Sequence, residues 1–428
     1  MKRTFTSYPV TDFFVLKSKM LNWLQPFGIF CFLDNQQYNF SSPAFECLAG
    51  AGFLKKMVFA KDNALTSLQA FLDQHNDWVF GHLGYDLKNE IEDLSSNNFD
   101  GILFPNIFFF IPEVVLKLNE DQLQIGVLDG NPDEIFETIN GLTPVKRNMT
   151  VPIPQLKSRF GREQYIAAIK KLQQHLLRGD CYEINFCQEF YAEDISVDPL
   201  SVYNNIRKFS PNPFSAFYKV DDKYLMCASP ERYIRKVDDK IISQPIKGTA
   251  KRFPQDEPGD KESKEKLILS DKERAENVMV VDLVRNDLSK VCEEGTVVVD
   301  ELFGIYSFPQ VHQMISTISG IIKPGVTFKD IITATFPMGS MTGAPKKRVM
   351  ELIELYEKTR RGLFSGSVGY IDPDKNFDFN VVIRSIMYNA SNKYLSVSAG
   401  AAITFKSVPE NEYEECLYKI TAMKEALL

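Results

Sequence analysis

Apolar residues recur along this chain in two patterns, one typical of strands and one typical of helices. Residues 29–33, 78–85 and 107–118 are rich in β-branched and aromatic side chains, which favours strands in the first 145 or so residues. Residues 162–178 repeat apolar side chains at helical spacing and end at Gly179, which predicts a helix that stops there. The pattern therefore predicts a chain that mixes sheets and helices.

The middle of the chain alternates short apolar runs with turn residues. Strands are predicted at residues 182–190 and then in a series from 214 to 246, with turns at the Asp-Asp pairs 221–222 and 238–239. This register carries Lys247 to the end of a strand. Residues 251–265 are charged and rich in proline and glycine, which predicts a solvated loop or, as a second interpretation, a mobile lid beside Lys247.

Two further helices are predicted by capping boxes. Ser270 precedes Glu273 by three residues, so a helix is expected from residue 271 to about residue 288. Ser407 precedes Glu410 in the same way and predicts a helix at the end of the chain.

Each of these helices carries two glutamates one turn apart, Glu273 with Glu276 and Glu412 with Glu415. A single pair of this kind is usually a solvated acidic face. If the two helices face each other, however, the carboxylate oxygens suit Mg²⁺, which takes one or two carboxylates together with waters and an anionic ligand.

Two segments between these helices predict contacts to an anion. The glycine-rich run 336–346 leads into a helix predicted at 344–358, and the free N–H groups at such a start bind anions. The spacing of Gly339, Gly343 and Lys346 does not form a Walker loop, so a carboxylate ligand serves equally well. Arg384 is the lone cation in a strand predicted at 377–387, and it needs either an internal salt bridge or an anionic ligand.

Lys247 lies between a rigid residue and a flexible one. Pro245 fixes its own φ, and Gly248 permits a positive φ or a close approach to a ligand. Residues 244–249 (QPIKGT) alone do not decide between two interpretations, an ordinary surface lysine and a lysine displayed for chemistry. In the final strand, residues 394–404, the small side chains from Ser398 to Ala402 permit close approach of a ligand to the backbone.

Composition narrows the possible partners. The 428 residues carry a net charge of −7 with both signs spread along the chain, which favours neither nucleic acid nor an anionic membrane. The seven cysteines form no CxxC pair and predict buried thiols. Without an apolar leader or spanning segment, a cytoplasmic protein is expected. A polar, proline-rich stretch at 144–154 divides the chain into residues 1–150 and 151–428.

Seven segments occur in an order that resembles one family, the chorismate-utilising enzymes. They are residues 228–232 (ASPER), 245–249 (PIKGT), 273–287 (ERAENVMVVDLVRND), 311–320 (VHQMISTISG), 336–346 (FPMGSMTGAPK), 366–384 and 399–415. The resemblance is strong over residues 155–428 and looser before them. It implies an α+β fold of four layers, α/β/β/α, to which both parts of the chain contribute strands, and an enzyme that binds chorismate against Mg²⁺.

The resemblance also implies roles for individual residues. Glu276 and Glu415 match metal-binding glutamates, with Glu273 and Glu412 as their close neighbours. The implied substrate-binding residues hold carboxylates or approach them with their backbone: Tyr370, Arg384, Gly400, Ala401 and Lys346. The implied residues around the ring and the reacting bonds are Lys247, Thr249, His312 and Glu231, the last as general acid at the C4 hydroxyl.

Lys247 points to one branch of the family. In having a lysine at this position, the chain resembles the enzymes that aminate chorismate at C4 and retain the enolpyruvyl group, whereas the enzymes that make anthranilate have alanine there. Lys247 is expected to attack C2 as a neutral amine, kept so by burial and nearby positive charge, or only to stabilise charge. Glu183 stands where relatives have glutamine, and Ala402 where they often have glycine.

The resemblance further implies a partner. No G-x-C-x-G nucleophile motif is visible, so ammonia is expected from a separate glutamine amidotransferase subunit. Residues 31–35 only loosely match the segment that binds tryptophan in relatives, so no tryptophan feedback is expected. The alternatives are a component I that makes anthranilate and, more remotely, a non-catalytic subunit that binds an amidotransferase.

Overall fold

The structure is a computed structural model and describes residues 3–38, 46–59, 63–143 and 154–428. The predicted division between residues 1–150 and 151–428 falls in the segment 144–153, outside the described residues. Strands from both sides of this segment share the same sheets. β2 (Ile29–Asp34) pairs with β11 (Phe214–Val220), and β5 (Val79–Leu83) pairs with β19 (Ser367–Ile371).

The remaining strands are β1 (Thr4–Pro9), β3 (Cys47–Ala51), β4 (Lys55–Phe59), β6 (Ile107–Ile111), β7 (Val114–Leu118), β8 (Gln122–Val127), β9 (Lys157–Ser158), β10 (Glu183–Ala192), β12 (Lys223–Ser229), β13 (Arg232–Val237), β14 (Lys240–Gln244), β15 (Ile246–Lys251), β16 (Val298–Ser307), β17 (Val311–Ile321), β18 (Gly343–Ala344), β20 (Phe377–Asn380), β21 (Ser385–Asn389) and β22 (Tyr394–Ile403).

The helices are α1 (Phe13–Leu24), α2 (Ala64–Gln74), α3 (Lys88–Glu92), α4 (Pro132–Gly141), α5 (Arg162–Leu177), α6 (Pro199–Phe209), α7 (Glu257–Leu269), α8 (Asp271–Ser289), α9 (Phe328–Thr335), α10 (Lys346–Tyr356), α11 (Pro409–Lys419) and α12 (Thr421–Ala426). Short 3₁₀ turns lie at Tyr85–Leu87 and Gly339–Met341.

The strands form two antiparallel sheets. In the described residues, the larger sheet has the order β1-β8-β7-β3-β2-β11-β12-β21-β22-β10-β18, with β9 beside β10. The smaller sheet has the order β15-β17-β14-β13-β20-β19-β5-β6-β4, with β16 beside β17. Helices and antiparallel sheets are thus mixed, which confirms the predicted α+β class.

Strand alternation explains the four layers. On β2, Ile29 and Cys31 pack in the core between the sheets, whereas Phe30 and Phe32 point to the other side, where α1, α6 and α12 cover the larger sheet. A Cβ at Gly50 of the larger sheet would lie 2.7 Å from the ring of Phe80 in the smaller sheet, so the two sheets are in direct contact. On the far side of the smaller sheet, aromatic side chains of β6 and β20 pack on α9.

Several predicted elements are confirmed and others are wrong in instructive ways. The helix predicted at 162–178 is α5, and Ser270 caps α8 by accepting a hydrogen bond from the Glu273 N–H. The segment 251–265, predicted as a loop or lid, contains most of α7, whose N-cap Asp256 accepts from Gly259. Its charges lie on a solvated helix face, and a charged composition does not by itself distinguish a helix from a loop.

Two predicted strands are each divided between the sheets. Residues 107–118 form β6 in the smaller sheet and β7 in the larger one, and the predicted strand 377–387 likewise separates into β20 and β21. Apolar alternation continues through both crossings because both sheets contribute to the same core. The second crossing places Arg384, with φ of 50°, between the two sheets.

Two composition-based predictions concern burial and membrane spans. The cysteines at all seven positions are free and buried, which confirms the predicted thiols. Among the described residues, no helix combines the length and the apolar character that a bilayer crossing requires.

Candidate active site

A cavity of about 500 Å³ lies where the chain crosses between the sheets. It is lined by residues of β15, β17, β22, α8 and α11 and by the crossing segment itself. Most residues predicted for the site line it: Glu231, Lys247, Thr249, Glu273, Glu276, Arg384, Gly400, Glu412 and Glu415. Residues distant in sequence by more than 180 positions thus converge on one space.

The backbone around Lys247 is fixed from two sides. Pro245 separates β14 from β15, so Lys247 is the second residue of a new strand and not the end of the previous one as predicted. Gly248 has φ of 103°, which strains any other residue, and a Cβ there would lie close to its neighbours, 3.2 Å from Glu273 Oε2 and 3.1 Å from Met314 Cβ. The Asn277 amide of α8 donates to the Lys247 carbonyl at 3.3 Å.

The Lys247 ammonium lies 2.7 Å from Glu183 Oε1. Burial acts to lower the pKa of Lys247, but Glu183, Glu276 and Glu231 together raise it above its ordinary value. The predicted neutral amine, held by nearby positive charge, is therefore wrong for this state of the protein. Carboxylates surround the lysine, and its proton must be removed before it can act as a nucleophile.

Glu231 is buried, with 3% of its surface exposed. Burial raises its pKa to about 7, although the Ser340 hydroxyl donates to its Oε1 at 2.6 Å and Lys247 adds positive charge nearby. A carboxyl group with this pKa is protonated in an appreciable fraction at neutral pH, as a general acid must be. Glu231 lies in the bend between β12 and β13, and it lines the same cavity as Lys247.

The four predicted metal-binding glutamates face each other across the cavity from α8 and α11. The Ser407 capping box predicted for α11 is wrong: Val408 is the N-cap, and the Ser407 hydroxyl accepts from the Thr404 N–H at 3.1 Å. The helix nevertheless begins at Pro409 and carries Glu412 and Glu415 on the side of the cavity, as the spacing predicts.

Charge in this acidic group is balanced by lysines. The Lys272 ammonium lies 3.8 Å from Glu276 and 3.9 Å from Glu412, and Lys419 lies 2.6 Å from Glu415. Burial raises the pKa of Glu276 to about 7, and its Oε1 is buried without a hydrogen-bond partner. Within the described ranges, no three of the glutamates bring oxygens within 4.8 Å of one another.

This donor set fits Mg²⁺ chemically. All donors are carboxylate oxygens, and one buried oxygen has no hydrogen-bond partner among the described residues. Mg²⁺ needs only one or two carboxylates when waters and an anionic ligand complete its shell. Cationic side chains already lie among these oxygens, which shows that the group attracts positive charge.

Arg384 supplies a cation that lines the cavity beside α11. Its Nη1 donates to the Lys419 carbonyl at 3.2 Å, and in the part of the chain that the structure describes no carboxylate lies within salt-bridge distance of its guanidinium. Burial lowers the pKa of Arg384. Of the two alternatives for this residue, an internal salt bridge is therefore wrong, and the guanidinium is available to an anion.

The final strand contributes backbone and small side chains. Gly400 and Ala402 line the cavity, whereas the side chain of Ala401 packs in the core behind β10 and β22. The backbone approach to a carboxylate expected of Ala401 stays a prediction. A Cβ at Gly400 would lie 2.3 Å from Cys187 Sγ. Lys419 donates to the Gly400 carbonyl at 2.8 Å and holds this part of the strand against α11.

His312 does not line the cavity. Its ring is buried between Ser307, at 2.8 Å, and Asp260 of α7, at 3.2 Å. Its neighbours Val311 and Gln313 line the cavity instead. Gln313 Oε1 is buried and has no hydrogen-bond partner among the described residues, and strand alternation places Gln313 and His312 on opposite faces of β17.

Tyr370 and Lys346 also lie elsewhere. Tyr370 stacks on Trp78 at 5.7 Å in a second cavity of about 540 Å³, whereas the aromatic residues Phe364 and Tyr418 line the first. Lys346 lies 2.6 Å from Asp287 of α8 and donates to the Thr335 carbonyl at 3.0 Å, so it joins buried segments. Tyr370 and Lys346 were both predicted to lie in the site, but both pack outside the first cavity.

The second cavity includes the segment considered for tryptophan. Leu33, Asp34 and Asn35 line it. The Asp34 carboxylate is already paired with the Lys17 ammonium at 2.6 Å. The absence of tryptophan feedback stays a prediction.

Comparison with known proteins identifies the family. The family model described as chorismate binding enzyme matches residues 32–425. The chain belongs to the chorismate-binding enzyme family. The match includes strands of both sheets and all the residues of the first cavity named above, so this cavity is the candidate active site.

Individual members of the family differ in the reaction named. Aminodeoxychorismate synthase component 1 of Escherichia coli is 34% identical over 87% of this chain and 84% of its own. Anthranilate synthase component 1 of Thermus thermophilus is 32% identical over 82% of this chain and 77% of its own. The crystal structure of anthranilate synthase component I from Streptococcus pneumoniae superposes with a TM-score of 0.77 at 24% identity, covering 90% of this chain and 94% of that one. This structural likeness shows a shared fold and confirms the predicted fold class.

Proposed function

We propose that this chain is an aminodeoxychorismate synthase component I, which replaces the C4 hydroxyl of chorismate by an amino group and retains the enolpyruvyl group. The observation that carries the proposal is the position of Lys247 in the family's cavity, 2.7 Å from Glu183 and in the same space as Glu231. An enzyme that makes anthranilate needs no amine there. The Escherichia coli relative with the proposed name supports this choice.

Binding of the dianionic substrate follows from charge. Arg384 offers one carboxylate a guanidinium that forms no salt bridge among the described residues, and the forked geometry of arginine suits a planar anion. Gly400 lets the backbone of β22 approach the ligand because no side chain intervenes. Glu276 with Glu415, and with Glu273 and Glu412 beside them, would hold Mg²⁺, which when bound neutralises the second carboxylate and supplies Lewis-acid stabilisation.

The cavity residues then divide the chemistry. Glu231 donates a proton to the C4 hydroxyl, which leaves as water, while the Lys247 amine forms a bond to C2 and the two ring double bonds shift. Ammonia subsequently attacks C4, the double bonds shift back and the C2–N bond breaks. Lys247 is released, and 4-amino-4-deoxychorismate, a precursor of para-aminobenzoate and folate, is the product. Thr249 and Gln313 line the space around the ring.

Ammonia comes, in this proposal, from a separate glutamine amidotransferase subunit. A glutaminase uses an accessible nucleophilic thiolate, whereas the cysteines of this chain are buried. Burial also raises the pKa of Cys181 and Cys292 to about 11. With ammonium salts at raised pH, the isolated chain should work without the partner.

Product identification tests the proposal. The purified chain is mixed with chorismate, Mg²⁺ and an ammonium salt, and the product is identified by chromatography with mass spectrometry, with and without an aminodeoxychorismate lyase. Formation of 4-amino-4-deoxychorismate, converted to para-aminobenzoate by the lyase, is expected. Anthranilate or isochorismate would overturn the reaction assigned, and the absence of any turnover would favour a non-catalytic binding subunit.

Replacing Arg384 by glutamine should lower kcat/KM for chorismate by about 10- to 150-fold, because hydrogen bonds to charged groups contribute about 1.5–3 kcal/mol. Steady-state kinetics measure the effect, which should fall mainly on KM. Arg348→Gln, at a half-buried arginine of α10 paired with Glu351 and Asp180 outside the cavity, is the matched control and should leave both constants unchanged. An unchanged KM in Arg384→Gln would contradict the assigned carboxylate contact.

Replacing Glu276 by glutamine should weaken binding of a divalent cation at least about tenfold. This is the lower end of the loss in metal affinity that follows mutation of a residue that only hydrogen-bonds to a metal ligand. Mn²⁺ binding followed by electron paramagnetic resonance, with Mg²⁺ as competitor, measures the affinity without reference to turnover. Glu414→Gln, at an exposed glutamate of α11, serves as control. Equal affinity in the two variants would show that Glu276 is not a ligand.

A further inference from the structure

Glu183 has no role in the reaction as described so far, although it makes the shortest polar contact to Lys247. Its Oε1 lies 2.7 Å from the ammonium, and both side chains are largely buried, with 3% exposed for Glu183 and 11% for Lys247. A hydrogen bond of this length between buried ionised groups provides a direct path for a proton. The contact therefore joins the prospective nucleophile to a base.

The structure holds Glu183 rigidly. It is the first residue of β10, and its Cα pairs with Ala344 of β18. Gly343, with φ of 141°, lets the two backbones approach so closely that a Cβ at Gly343 would lie 2.1 Å from the Glu183 carbonyl oxygen. The Tyr182 N–H donates to the Ala344 carbonyl on the other side of this pair, at 2.8 Å. The carboxylate is thus delivered to Lys247 from a strand end that is held by its contacts with β18.

We propose that Glu183 is a positioning residue that accepts the proton of Lys247 before the lysine attacks chorismate. This inference rests on the proposed function and assigns the base that the C4 amination requires. The partner of the base is the lysine and not the substrate, so Glu183 acts through Lys247.

The proton balance is complete within the pair. Transfer from the ammonium to Glu183 leaves a carboxylic acid and a neutral amine, whose lone pair forms the bond to C2 while Glu231 gives its proton to the departing C4 hydroxyl. The adduct nitrogen keeps two protons as a secondary ammonium. When ammonia attacks C4, the ring double bonds shift back and the electrons of the C2–N bond return to the lysine nitrogen. Lys247 then leaves C2 as a neutral amine, and Glu183 returns the proton to this amine. The ammonium formed at C4 loses its excess proton to Glu231.

Other charges facing Lys247 cannot replace this contact. The carboxylates around its ammonium are Glu183 on β10, Glu231 before β13, Glu273 and Glu276 on α8 and Glu415 on α11. Of these, Glu183 alone among the described residues lies within salt-bridge distance of the nitrogen. Glu231 is occupied as acid, and the α8 and α11 glutamates are the proposed cation ligands.

The test measures formation of the Lys247 adduct. Wild-type protein and Glu183→Gln are mixed with chorismate and Mg²⁺ without ammonium, quenched at short times, and the adduct is quantified by peptide mass spectrometry between pH 6 and 9. At pH 7 the variant should form adduct about 10²-fold more slowly, the lower end of the range for a positioned proton-transfer group. Below pH 7, where Glu231 keeps its proton, the rate of the variant should rise about tenfold per pH unit, because the Lys247 ammonium must lose its proton to solvent; above pH 7, loss of the Glu231 proton offsets this rise. The rising limb should be absent from the wild type.

A merely electrostatic role for Glu183 gives the opposite result. Loss of its charge would lower the pKa of Lys247, increase the fraction of free amine and leave the adduct rate equal or faster, without a new pH limb. That outcome would overturn the inference. Glu183→Asp, which keeps the carboxylate, should recover part of the rate and the wild-type pH profile.

Glu189→Gln is the matched control on the same strand. Glu189 is a buried glutamate paired with Arg159 at 2.7 Å, so its loss perturbs β10 without touching Lys247, and its adduct rate should match the wild type. Failure of the proposed function looks different. If wild-type protein with ammonium yields no 4-amino-4-deoxychorismate, the reaction assigned is wrong, whereas normal product with an unaffected Glu183→Gln removes only the role of Glu183.

Discussion

Replacing Lys247 by alanine is expected to lower kcat for 4-amino-4-deoxychorismate formation by about 10³-fold or more, since loss of a nucleophile removes a large part of a covalent enzyme's rate enhancement. Chorismate should still bind, because Arg384 and the α8 and α11 glutamates are unchanged. The alanine also makes the site similar to that of anthranilate-forming relatives, so residual anthranilate is the expected side product. Product-resolved chromatography under ammonium measures both activities.

Two controls separate chemistry from packing. Lys247→Met keeps most of the apolar stem and removes only the amine, so it should be as inactive as the alanine variant. Lys266→Ala, at an exposed lysine of α7, should retain full activity. An unchanged rate in Lys247→Ala would remove the covalent mechanism and leave the reaction class intact, whereas adduct on any other lysine would show that the nucleophile is misassigned.

Replacing Glu231 by glutamine is expected to lower kcat/KM for chorismate by about 10²- to 10⁴-fold, the usual contribution of a positioned general acid. The amide preserves the side chain's shape and can still accept from Ser340, so binding should change little. In the wild type, the acid is protonated below its pKa of about 7 and loses its proton above it. The profile of kcat/KM against pH should therefore fall as pH rises through about 7, and this limb should disappear in Glu231→Gln.

Ser340→Ala provides an independent control on the same group. The Ser340 hydroxyl donates to Glu231 and favours the ionised carboxylate, so its removal should raise the pKa of Glu231 and move the falling limb to higher pH. Activity below the limb should remain. A limb that stays in place in Ser340→Ala, or that persists in Glu231→Gln, would assign the titration to another residue.

Local signals in the sequence were sufficient for much of the site. The glutamates of α8 and α11 were found from their spacing of three residues, which places them on one helix face in any fold. Arg384 was found because a lone cation in an apolar run needs an anion, and Gly248 because only glycine suits the backbone that Lys247 requires. Each of these depends on residues close together in the chain.

The failures depend on which way a side chain points. His312 and Gln313 are adjacent on β17, and only the packing of that strand decides that Gln313 faces the cavity while His312 meets α7. Phe364 and Tyr370 are six residues apart, but the fold of the segment between them places Phe364 in the first cavity and Tyr370 in the second. The ion pair between Lys247 and Glu183 joins residues 64 positions apart, and no pattern within either segment indicates it.

The release of pyruvate per chorismate consumed tests the central claim most directly. With chorismate, Mg²⁺ and ammonium, and without any lyase, pyruvate is measured with lactate dehydrogenase while chorismate is followed by chromatography. C4 amination with retention of the enolpyruvyl group predicts chorismate consumption with essentially no pyruvate. One pyruvate released for each chorismate consumed would contradict the account and assign this chain to anthranilate formation.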